Sequence, residues 1–144
     1  MLVFLYGREP IMPLDFHQVD AFTDQPFAGN PAMVYRLDTW LDEALMQRIA
    51  AEHNLAETAF VVKEGRVWHI RWFTPTSEVP LCGHATLASA KVLFDLYHEA
   101  GDVLQFTCKS GALRVTRQGE RLELDFPVRP LVPVAAALQA DVER

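Results

Sequence analysis

The stretch Pro80-Leu81-Cys82-Gly83-His84-Ala85-Thr86-Leu87-Ala88-Ser89-Ala90 decides how this chain folds, because it opens a segment that is almost wholly apolar. From Ala85 to Tyr97 only Thr86, Ser89, Lys91 and Asp95 interrupt the apolar residues. A helix apolar around most of its circumference is buried on most sides. The small residues Ala85, Ala88, Ser89 and Ala90 would let neighbouring strands approach its first turns closely. The rest of the chain reads as a coat for this helix.

That coat is mostly strand. Phe16 to Phe22 is a short β-prone run closed by two clusters of turn residues, Thr23-Asp24-Gln25-Pro26 and Ala28-Gly29-Asn30-Pro31, after which Ala32 to Tyr35 resumes as a second strand. Asp38 and Thr39 offer capping side chains for an amphipathic helix from Leu41 to His53, with Leu41, Ala44, Leu45 and Ile49 on one side and Asn54 suited to its left-handed end. Thr58 to Val62 and Arg66 to Phe73 form a hairpin about Lys63-Glu64-Gly65. In its second arm Trp68, Ile70 and Trp72 share one face, and His69 and Arg71 the other. After Gly101, Val103 to Cys108, Ala112 to Arg117 and Arg121 to Phe126 read as a meander. The pattern predicts an α+β fold: about seven short strands in a curled antiparallel sheet wrapped around one buried central helix, with one amphipathic surface helix. Residues 1–13 read as an N-terminal extension, 14–127 as the folded unit, and the proline-broken 128–144 as a linker followed by the start of something absent from this chain.

Composition narrows the function. At 144 residues, 50% apolar and 22% charged, the chain can bury its own core. Its net charge of −6 has no basic run behind it, which argues against nucleic acid as a partner, and no segment reads as a membrane span. Two cysteines without metal-ligand spacing fit a reducing, cytoplasmic setting with no metal.

The chemistry-bearing residues cluster at the opening stretch. Gly83 starts the buried helix, so the first-turn amides lack partners within it and, with the macrodipole, suit a carboxylate or phosphate; a merely flexible helix start fits Gly83 as well. Cys82 reads either as a small buried hydrophobe or as a helix-terminal thiol of lowered pKa. His84 reads either as a functional side chain leaning over the anion site or as a plain helix-terminal residue. Residues two apart around a turn rarely face each other, so separate roles are expected for Cys82 and His84 rather than a dyad. Glu57, between a helix and an apolar strand, is either a solvated turn residue or a carboxylate held partly desolvated at a sheet end, where burial raises its pKa. His17, His53, His69 and His98 share no spacing and read as structural or exposed.

Taken in order, Phe16 to Pro31, Met46-Gln47-Arg48-Ile49-Ala50, Asn54-Leu55-Ala56-Glu57-Thr58-Ala59-Phe60, Arg71-Trp72-Phe73-Thr74-Pro75, Leu81-Cys82-Gly83-His84-Ala85-Thr86 and Asp125-Phe126-Pro127 resemble the phenazine biosynthesis PhzF-like family over most of Leu14 to Pro127. The resemblance implies one lobe of a diaminopimelate epimerase-like fold, in which two similar lobes meet at a cleft where their central helices converge. It implies Glu57 as the general acid/base of a cofactor-independent isomerisation, with Gly83, His84, Cys82 and Asn30 on the substrate side. Cys82 stands near one of the two catalytic thiols of the epimerase relatives, although PhzF-like proteins are not thought to depend on it. Ala56 departs from the serine of many members, and the second lobe, with its Gly-Asp-Pro-type motif, has no counterpart here.

The expectation is an isomerase or epimerase family protein acting on a small carboxylic acid, incomplete as a single chain. A homodimer would restore a cleft with two Glu57 side chains and two helix N-termini. The rival readings are a non-catalytic small-acid-binding or structural module and, less favoured, thiol hydrolysis by Cys82 with His84.

Overall fold

The computed structural model describes residues 13–126, so the expectations for the N-terminal extension and for 128–144 lie outside the described residues apart from Pro13. In chain order the elements are β1 (Phe16–Ala21), β2 (Asn30–Leu37), α1 (Glu43–His53), β3 (Glu57–Glu64), β4 (Val67–Phe73), β5 (Glu78–Val79), α2 (Gly83–Asp95), β6 (Val103–Cys108), β7 (Gly111–Gln118) and β8 (Arg121–Asp125). The strands form one sheet in the order β1-β2-β3-β4-β6-β7-β8, with β5 paired to β4 off that path. The α+β class and the curled sheet around a buried helix hold.

The sheet is mixed rather than antiparallel. β2 and β3 run parallel, Ala32 opposite Glu57, because α1 connects them as a crossover; β4 and β6 run parallel because β5 and α2 intervene. β5 occupies β4 at its Trp72–Phe73 end, and β6 takes over at Trp68 and His69.

Two apolar clusters flank the sheet. Ala32, Val34, Ala59, Val61, Trp68, Ile70 and Trp72 pack with the inward side of α2, which touches β1, β2, β3 and β8 and so sits within the curl. On the opposite face Met33, Tyr35, Leu37, Phe60, Val62 and Phe73 meet Met46 and Ala50 of α1, with Tyr35 stacked on Phe60 at 5.0 Å. β2 and β3 are thus covered on both sides.

Local chemistry fixes the helix ends. Asp42, not Asp38 or Thr39, caps α1, its Oδ1 accepting from the amides of Ala44 (3.0 Å) and Leu45 (3.3 Å). Asn54 closes it at φ 52°, as its side-chain type favours. In α2 the buried hydroxyls of Thr86 and Ser89 donate to the carbonyls of Cys82 (2.5 Å) and Ala85 (2.7 Å), so neither brings an unpaired polar group into the core. Arg71 ties α1 and β5 to β4: it meets Glu78 at 2.7 and 2.8 Å and Glu43 at 2.6 Å. These charge-assisted bonds raise the guanidinium pKa, and the hydrogen bond from Arg71 holds the Glu78 carboxyl below its ordinary value.

Candidate functional site

Glu57 is the first residue of β3, level with Ala32 of β2, and the parallel pairing aims it at the start of α2. There its Oε2 lies 3.3 Å from Nε2 of His84, whose Nδ1 lies 3.4 Å from Sγ of Cys82. Cys82 and His84 are 7% and 9% exposed, and the Glu57 side chain 20%. Oε2 of Glu57 and Nε2 of His84 are both buried without a hydrogen-bond partner in proper geometry, although they face each other at ion-pair distance.

One expectation changes here, and one of the two readings of Cys82 loses support. Cys82 and His84 do face each other, because Cys82 is the N-cap of α2 with extended backbone (φ −146°, ψ 120°), a geometry unlike that of two residues within a helical turn. The thiol pKa is not lowered. Burial pushes it up to about 11 and the Glu57 charge adds to this; the amides of Ala85 and His84 work the other way, but neither closes a capping hydrogen bond to Sγ. Burial therefore disfavours the thiolate form of Cys82.

Gly83 stands at the mouth of this cluster for a reason the sequence did not disclose. A Cβ there would come within 2.7 Å of Cζ and 3.2 Å of Cε2 of Phe126, whose ring lies over the start of α2 just beyond β8. Gly83→Ala is expected to push that half-exposed ring aside, abolishing the ring-current shift on the Gly83 amide. Because the ring can swing toward solvent, stability should change by only about 1 kcal/mol; an unaltered amide shift would contradict the contact.

Asn30 begins β2 at the same sheet end as Glu57, two residues before Ala32, but it stays exposed and makes no side-chain hydrogen bond to the cluster. Of the other histidines, His53 bonds Tyr35 at 2.6 Å, and His69 bonds Thr107 at 3.0 Å, beside Glu64. Ligand-type atoms of Glu57, Cys82 and His84 all lie within 4.8 Å of one another, a donor set of the kind that holds a borderline divalent cation. Binding a cation there would require the Cys82 thiol to lose its proton.

A curled mixed sheet around a buried central helix matches one lobe of a diaminopimelate epimerase-like fold. A hydroxyproline epimerase from Agrobacterium vitis shares it at TM-score 0.54 and 8% identity, over 74% of this chain and 38% of that one. The chain belongs to the phenazine biosynthesis-like protein family, whose family model matches residues 19–144. It is 67% identical over 118 residues to an uncharacterized isomerase of Pseudomonas aeruginosa, covering 82% of this chain and 45% of the relative. It is 47% identical over 130 residues to the human phenazine biosynthesis-like domain-containing protein, covering 85% and 45%. A PhzF-family crystal structure from Enterococcus faecalis superposes at TM-score 0.79 with 52% identity, over 90% of this chain and 50% of that one. The chain therefore spans about half the length of the relatives it matches. Among the described residues no helix is long and apolar enough to cross a membrane.

Proposed function

We propose that this chain supplies the acid/base half of an isomerase that moves a proton on a small carboxylic acid without a cofactor. The observation that carries the reading is the Glu57–His84 contact of 3.3 Å at the start of α2. Glu57 takes a proton from carbon next to the substrate's carboxylate or a conjugated group and returns it at the product position. The amides of Gly83 and His84 hold the carboxylate at the positive helix end, and Asn30 adds a hydrogen bond from β2. His84 positions the Glu57 carboxylate.

A half-cleft leaves the substrate open to water, so a second lobe or a second copy of the chain completes the site. The β1–β2 loop supports this: it joins Ala21 to Asn30 at the Glu57 end of the sheet and carries Phe22 and Phe27, 74% and 97% exposed. Size-exclusion chromatography with light scattering is expected to give a dimer; a monomer at high concentration would defeat pairing between copies. The enzymatic reading is tested by solvent deuterium wash-in to a panel of small carboxylic acids, with loss in Glu57→Gln as the expected result. Binding by calorimetry without any exchange would instead support a small-acid-binding module.

A further inference from the structure

When its ring is neutral, a buried histidine carries its proton on one ring nitrogen, and its neighbours decide which. His84 is flanked by Cys82 at Nδ1 (3.4 Å) and Glu57 at Nε2 (3.3 Å), so each nitrogen has one polar neighbour and the two neighbours differ in kind. We propose that Cys82 is a positioning residue: its thiol donates to Nδ1 of His84, which locks the ring and directs the Nε2–H toward Oε2 of Glu57. The role of this arrangement in proton transfer rests on the assignment of Glu57 above, whereas the tautomer itself does not.

The reasoning is one of compatible donors and acceptors. In its carboxylate form Glu57 only accepts, and a bare Nε2 lone pair facing Oε2 would then set two acceptors against each other in a buried space; an Nε2–H resolves the conflict. Nδ1 is then an acceptor and needs a donor, and the adjacent group able to give one is the protonated thiol of Cys82. The extended backbone at the N-cap brings Sγ to that side of the ring. Thr86, which also bonds within the helix start, is already committed to the carbonyl of Cys82 and does not compete. With Oε2 buried against His84, the exposed part of the Glu57 side chain is left to meet the substrate. The thiol thereby acts by hydrogen bonding and orientation, with no covalent step.

The test is a long-range proton–nitrogen NMR spectrum of the ring nitrogens in the ¹⁵N-labelled full chain. The wild type is expected to show a protonated Nε2 and an unprotonated Nδ1 for His84. Cys82→Ala should lower the Nε2–H to Nδ1–H ratio by about fivefold, the effect of losing one typical hydrogen bond, while Cys82→Ser, which keeps a donor, should retain most of it. An Nδ1–H tautomer or a doubly protonated ring in the wild type would overturn the proposal, as would an unchanged ratio in Cys82→Ala. If Cys82→Ala fails to fold, the wild-type spectrum still decides, because the opposite tautomer excludes donation by the thiol. Since no turnover is read, a failure here is distinct from a failure of deuterium wash-in, which bears on Glu57 alone.

Discussion

Trp72→Ala is expected to destabilise the chain by about 3–5 kcal/mol, the usual range for deleting a large buried aromatic side chain. Trp72 is 1% exposed and stands on the inward face of β4 with Trp68 and Ile70. Its backbone is paired on one side with Ala59 of β3 and on the other with Val79 of β5. A cavity there opens where two neighbouring strands and the α2 side of the core meet, and the strands cannot collapse into it without breaking register. The indole Nε1 is buried without a hydrogen-bond partner, so the residue contributes packing rather than a polar contact. Trp72→Phe should therefore be milder, because part of the lost packing is offset by removing an unsatisfied N–H. Urea unfolding midpoints at matched slopes check both. A cost below about 1 kcal/mol for Trp72→Ala would mean that this part of the inward face is not packed as described.

Strand β4 also explains what could be read from sequence and what could not. Alternation assigned Trp68, Ile70 and Trp72 to one face, because a strand's period of two fixes which side chains share a face whatever its partners. It carried no information on the neighbours: β4 pairs antiparallel with β3 and parallel with β6, and that direction is set by the crossover through α2. The two-residue β5 is too short to leave a pattern at all. The same division holds at the site. Glu57, Gly83 and His84 were identifiable as residue types at a sheet end and a helix start. The contact between Cys82 and His84 depends on the N-cap backbone angles, and the approach of Phe126 to Gly83 depends on where the far end of the sheet curls back over α2. Neither has a local signature.

If the chain moves a proton as proposed, Glu57→Gln is expected to lower solvent deuterium exchange into the small acid by about 10²–10⁴-fold, the contribution typical of a positioned acid/base. Glutamine preserves the shape of the side chain and its place beside His84, but its amide cannot take up a proton and release it again near neutrality. Urea unfolding of the variant separates lost chemistry from lost structure. Glu57→Asp retains the acid but withdraws it by about one methylene, which opens the 3.3 Å contact with His84 and moves the carboxylate off the substrate carbon. Its exchange should fall less than that of Glu57→Gln. The ordering wild type, Asp, Gln is the discriminating result. If Glu57→Gln kept exchange within about tenfold of wild type, the proton would have to be moved by another group, and His84, the nearest titratable side chain to Oε2, would become the residue to substitute next.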